Sequence, residues 1–154
     1  MDIQNLVCTV FEERDEALEQ YVERRLEGYN ERQSPWVLQK RMPGRGPRPL
    51  SVYLRNSDGD TFGGVIGYTL WDWLHIEYLW VWEELRGQGW GSALIRSLED
   101  AARQRGCRHA QVYTWSFQAP DFYGKLGYRI VGRLDDYPPG HTDYWLRKDF
   151  ETAE

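Results

Sequence analysis

Three glycines at alternate positions, Gly87, Gly89 and Gly91, stand between an apolar run (LHIEYLWVW, Leu74 to Trp82) and an amphipathic one (Ser92 to Arg105). Glycine loses more backbone freedom on folding than any other residue, so such a segment is costly to order. The run before it reads as a strand and the run after it as a helix, which puts the glycines at a strand-to-helix junction. A helix start carries unpaired N–H donors and a partial positive charge, and bare backbone lets an anion come close. The amides of Gly87 to Ser92 are therefore a candidate cradle for a phosphate or diphosphate. The plain alternative is a glycine-rich connector without a ligand.

The remainder reads as short alternating elements. Leu6 to Phe11 (LVCTVF) predicts a first strand. Asp15 to Arg32, with Leu18, Tyr21, Val22, Leu26 and Tyr29 at helical spacings, predicts an amphipathic helix with a solvated charged face. Pro43 to Pro49 (PGRGPRP) is too rich in Pro and Gly to be regular. Leu50 to Arg55 and Phe62 to Trp71 form a predicted hairpin around Asp58-Gly59. The helix Ser92 to Arg105 should face inward with Ala93, Leu94, Leu98, Ala101 and Ala102, and stop at Gly106. A strand (Ala110 to Trp115), a short helix (Gln118 to Leu126, with Pro120 in its first turn) and a strand pair (Tyr128 to Leu134, Thr142 to Phe150) complete the reading. The order β-α-β-β-β-α-β-α-β-β implies a mixed sheet with few helices, in a single domain spanning 1–154.

Composition narrows the partners. A formal charge of -5 argues against nucleic acid and mildly favours neutral or cationic small molecules. Eight Trp and ten Tyr suit strands and aromatic-lined surfaces. Cys8 and Cys107 are too few for a disulfide framework and lack metal spacing, so buried or half-buried free thiols and no metal are expected. The start MDIQNLVCTV has no basic leader region, and the run from Tyr68 to Trp82 is broken by Asp72, His75 and Glu77. A soluble, cytoplasmic protein without a membrane partner is the expectation.

Two nucleotide motifs fit poorly. A P-loop needs Gly-Lys-Ser/Thr, but Ser92-Ala93 follows Gly91. A dinucleotide fingerprint needs a glycine where Ser92 stands and an acid further on, and Cys107 to Val112 holds none. Arg86-Gly87-Gln88-Gly89-Trp90-Gly91 instead resembles the Arg/Gln-x-x-Gly-x-Gly/Ala motif of the GNAT superfamily of N-acetyltransferases, placed directly after a strand ending LWVWEEL. Downstream, SFQAPDFYGKLGY (Ser116 to Tyr128) is similar to that family's Phe-Tyr-x-x-x-Gly-Tyr/Phe motif. The resemblance covers about 62 to 150.

It implies a GNAT-like α/β fold (mixed α+β): a central mixed sheet of six to seven strands, a splayed pair of strands at its middle, and about four flanking helices. The strand Leu74 to Trp82 would carry a bulge and part from its neighbour, and the pantetheine arm of acetyl-CoA would lie in the gap. The main chain of Leu79 and Val81 would bond that arm. The amides of Gly87, Gln88, Gly89, Trp90, Gly91 and Ser92 would take the diphosphate, with Arg86 adding charge and Lys125 reaching a phosphate. Tyr123 matches the tyrosine that protonates the departing thiolate. Ser116 stands where many relatives carry asparagine, so its contact to the arm would have a shorter reach.

For the base that deprotonates the acceptor ammonium, Glu77 is the first choice, ahead of Glu83 and Glu84. The His141 imidazole is the second candidate for that base, and with Asp136 and Tyr137 it could line an acceptor pocket. Acetyl would pass directly to a primary amine of a small molecule (a polyamine, an amino-sugar antibiotic or an amino-acid derivative) or of a peptide, within a ternary complex. The alternative is a catalytically idle acyl-CoA-binding or interaction module. A homodimer is compatible with the resemblance.

Overall fold

Asp15 starts the first helix by accepting hydrogen bonds from the amides of Ala17 and Leu18, both at 3.1 Å. Two of the orphan donors of a helix start are satisfied in this way. Helix α1 (Glu16–Gln33) runs on to Ser34, whose extended backbone precedes Pro35 and breaks the helix. Helix α2 (Pro35–Gln39) follows, an element not foreseen from the sequence. In this computed structural model residues 6–150 are described. The chain divides into two compact units, Met1–Met42 and Pro43–Glu154. The expected strand at Leu6 to Phe11 is absent: the segment is irregular and exposed, and Cys8 is exposed with it. An apolar run of that length is ambiguous, because its pattern carries no information about a strand partner.

The second unit holds a six-stranded sheet in the order β1-β2-β3-β4-β6-β5. Its strands are β1 (Arg48–Arg55), β2 (Thr61–Leu70), β3 (Trp73–Val81), β4 (His109–Trp115), β5 (Arg129–Asp135) and β6 (Thr142–Asp149). The β1–β2 hairpin closes as expected, with Gly59 at φ +92° and the Asn56 side chain accepting from the Asp60 amide at 2.8 Å. Helix α3 (Trp90–Gln104) carries the chain from β3 to β4, the one parallel pair; every other pair is antiparallel. Helix α4 (Pro120–Lys125) begins with Pro120 in its first turn and gives way to Gly127 at φ +90°.

The core lies between one face of the sheet and α3. Val65, Leu74, Ile76, Ala110, Val112 and Leu146 meet Leu94, Ile95, Leu98 and Ala102, all buried. Each fully buried aliphatic side chain contributes about 1.5–3 kcal/mol before entropy is counted. The helix is rotated from the sequence expectation: Ile95 and Glu99 are buried, and Ala93 is exposed. Among the described residues no helix is long and apolar enough to cross a membrane.

Two irregularities in β3 make the site. Ile66 faces Tyr78 and Gly67 faces Ile76, so Glu77 is an extra residue, a bulge. The bulge shifts the alternation, so that Leu74 and Ile76 are buried before it and Leu79 and Val81 turn inward after it. β3 and β4 pair only from Trp73 to Ile76 and from His109 to Val112. Beyond that point β3 stays with β2, and β4 with β6, so the two strands part.

Candidate active site

A cleft of about 870 Å³ opens where the strands part. One wall is β3 from Glu77 to Val81, and the other is the end of β4 with Phe117 to Ala119 behind it. Its end is closed by the glycine turn and by Phe122 and Tyr123 of α4. Nine of the residues singled out from the sequence line it: Glu77, Leu79, Val81, Arg86, Gly87, Gly89, Gly91, Ser92 and Tyr123.

The turn is built by backbone geometry. Gly87 (φ +75°) and Gly89 (φ +88°) adopt left-handed conformations that side chains disfavour, and neither is crowded. Gly89 caps α3 with no side-chain hydrogen bond to the helix amides, and the first helical amide bonded inside the turn is that of Ala93, to the Gly89 carbonyl. The amides of Trp90, Gly91 and Ser92 thus stand at a positive helix start without a capping side chain. A Cβ on Gly91 would come to 3.3 Å of the Phe122 ring, so glycine there lets α3 and α4 close up. Gln88 points its side chain away, donating to the Glu84 carbonyl at 2.8 Å. Arg86 donates from Nε to the Val81 carbonyl at 3.0 Å, which ties the turn to β3 and occupies an acceptor expected to face the pantetheine arm. Uncapped amides, left-handed glycines and one guanidinium fit a diphosphate.

Tyr123 is buried, with Phe122 and Tyr128 rings edge-on at 5.1 and 5.6 Å. Burial pushes its phenol up to about 12, so it stays neutral at ordinary pH. Gln118 holds the end of β4 beside it, its side-chain oxygen accepting from the Trp115 amide at 3.0 Å. Glu77 is exposed on its bulge, and its charge, with burial the larger cause, raises the Tyr68 phenol.

Several candidates lie outside the cleft, Glu83, Glu84 and Asp136 among them. Lys125 lines a separate hollow with Asp121, Tyr128 and Ile130. The Ser116 hydroxyl accepts from the Thr142 amide at 3.2 Å, and its Oγ lies 3.4 Å from His141 Nδ1. His141 and Tyr137 belong to the β5–β6 turn, where the Tyr137 amide donates to the His141 carbonyl. His141 reaches the cleft only through Phe117, whose ring it meets edge-on at 4.7 Å. Tyr78, Trp80, Tyr113, Thr114, Phe117 and Phe122 line the cleft and were not singled out from the sequence, where such rings are indistinguishable from core.

Residues 10–128 match the acetyltransferase (GNAT) family. The chain is 43% identical over 130 residues, 81% of its length and 96% of the relative's, to a blasticidin-S acetyltransferase of Streptomyces morookaense. It superposes on an acetyltransferase from Bacillus cereus with a TM-score of 0.77 at 32% identity, covering 92% of this chain and 98% of that one. A Bacillus anthracis protein crystallised with acetyl coenzyme A shares the fold, with a TM-score of 0.60 at 19% identity over 68% of this chain and 64% of that one. The glycine turn, the parted strands and these matches lead to one assignment: this chain belongs to the acetyltransferase (GNAT) family and is an acyl-CoA-dependent acetyltransferase.

Proposed function

We propose that the protein transfers the acetyl group of acetyl-CoA to a primary amine of a small molecule by direct attack in a ternary complex. The observation that carries this reading is the cleft itself, with uncapped α3 amides at one end, a carboxylate on the opposite stretch of β3, and a buried neutral phenol between strand and helix. The two units act as one acetyltransferase domain; the family match runs across their boundary.

The amides of Gly87 to Ser92 and the Arg86 guanidinium hold the diphosphate. The edge of β3 facing the gap from Leu79 to Val81, apart from the Val81 carbonyl that Arg86 holds, orients the pantetheine arm, and one of its amides polarises the thioester carbonyl, a contribution of roughly 3–4 kcal/mol. Glu77 takes the proton from the acceptor ammonium, and the neutral amine attacks the carbonyl carbon. The C–S bond breaks, Tyr123 gives its proton to the departing sulfur, and the phenolate then takes the surplus proton from the nitrogen that has become the amide. A phenol near 12 is a weak acid, but the dry pocket that raises it also raises the basicity of the departing thiolate. The blasticidin-S relative supports a small-molecule acceptor.

A thiol-release assay with acetyl-CoA tests the proposal, using blasticidin S, polyamines, amino sugars, amino-acid derivatives and peptides as acceptors. Release with a small-molecule amine is the expected result. Acetyl-CoA binding without release for any amine would contradict it and favour an idle acyl-CoA-binding module.

A further inference from the structure

Resting on that reading, we infer that the acceptor end of the cleft is a wall of exposed aromatic rings that selects a cationic amine carried on a flat, unsaturated body. Leu79 and Val81 pack toward the core, so Tyr78 and Trp80, which alternate with them on β3, project from the opposite face of the sheet. Val112 and Thr114 are buried, so Tyr113 projects to the same opposite face. These three rings and Phe117 line the cleft while remaining 48–70% exposed. Large rings left in water at a cleft mouth mark a binding surface rather than core.

Two of these rings are braced by a neighbouring ring. Tyr113 meets Trp145 edge-on at 5.0 Å, and Trp80 meets Trp82 edge-on at 6.0 Å. A braced ring loses little entropy when it captures a ligand. The electrostatics favour a cation: Glu77 supplies a carboxylate, and the one cationic side chain lining the cleft among the described residues, Arg86, is tied by its Nε to the Val81 carbonyl at the diphosphate end. Ring faces attract a cation, and they stack on flat unsaturated groups more strongly than on hydroxylated ones.

The test is calorimetric titration of the enzyme with phenethylamine, glucosamine and spermidine, with thiol release from acetyl-CoA measured in parallel. The expected result is about tenfold tighter binding of phenethylamine than of either other amine. Tyr78→Leu and Tyr113→Leu should each narrow that ratio to about threefold or less while acetyl-CoA affinity is kept. Equal affinities, including none measurable, or tightest binding of spermidine, would overturn the inference even where amines are acetylated. Selective binding without acetylation of any amine would leave the wall standing and refute the proposed reaction instead.

Discussion

Lys148 Nζ lies 2.6 Å from Glu99 Oε2, and Glu99 is only 3% exposed, so a charge in the middle of α3 is neutralised from β6. The other Glu99 oxygen accepts from the Tyr128 hydroxyl at 2.8 Å. Removing one partner of such a pair strands a buried charge, which costs about 3–5 kcal/mol. Lys148→Met should therefore lower the urea unfolding free energy by that amount. Adding Glu99→Gln should recover most of the loss, because the amide is neutral and still accepts from Tyr128. A Lys148→Met protein as stable as the parent would show the pair to be inert.

Stability should fall at high pH. Burial holds Tyr123 at about 12 and raises Tyr128 as well, with the nearby Glu99 carboxylate as a further cause. In the unfolded chain both phenols ionise near about 10. Their contribution is complete below that value and is lost as the pH rises toward the folded ones. Thermal unfolding between about pH 7 and 11 should show a plateau, then a decline above about pH 10 of roughly 1.4 kcal/mol per unit for each phenol. Tyr128→Phe should make the decline shallower.

Gly67 is the position on which the bulge depends. A Cβ there would sit 2.1 Å from the His75 carbonyl oxygen, a main-chain atom that cannot swing away. Gly67→Ala should cost more than about 3 kcal/mol by urea unfolding or abolish soluble expression. Gly124→Ala, in α4 with nothing within 4 Å of its added carbon, should be neutral or stabilising by about 0.5–1 kcal/mol.

This contrast shows where sequence reasoning reached and where it stopped. The β1–β2 hairpin, α3 and the β5–β6 pair were legible because Asp58-Gly59, Gly106 and Gly127 mark their ends. The bulge at Glu77 was not placed, since β3 is apolar on both faces and its alternation gives no reference from which to see a slip. Leu6 to Phe11 looked like a strand because local pattern carries no information about a partner. The glycine turn was legible in the sequence, because its left-handed geometry is one that glycine adopts without steric cost. The aromatic lining was hidden, because Phe117 and Tyr113 differ from core rings only in what surrounds them. Ser116 was placed by its motif position, yet its hydroxyl is engaged with the β5–β6 turn.

Tyr123→Phe keeps the ring packing and removes only the proton donor. The rate constant kcat should fall about 100-fold, with KM for acetyl-CoA within about threefold of the parent. An unchanged kcat would remove Tyr123 from the reaction.

We propose above that the backbone amides at the start of α3 grip the diphosphate of acetyl-CoA. Amide proton resonances followed during titration with acetyl-CoA test it most directly. Gly87, Gly89, Trp90, Gly91 and Ser92 should undergo the largest downfield shifts in the chain. Saturable binding that leaves those five unmoved while other amides shift would contradict it.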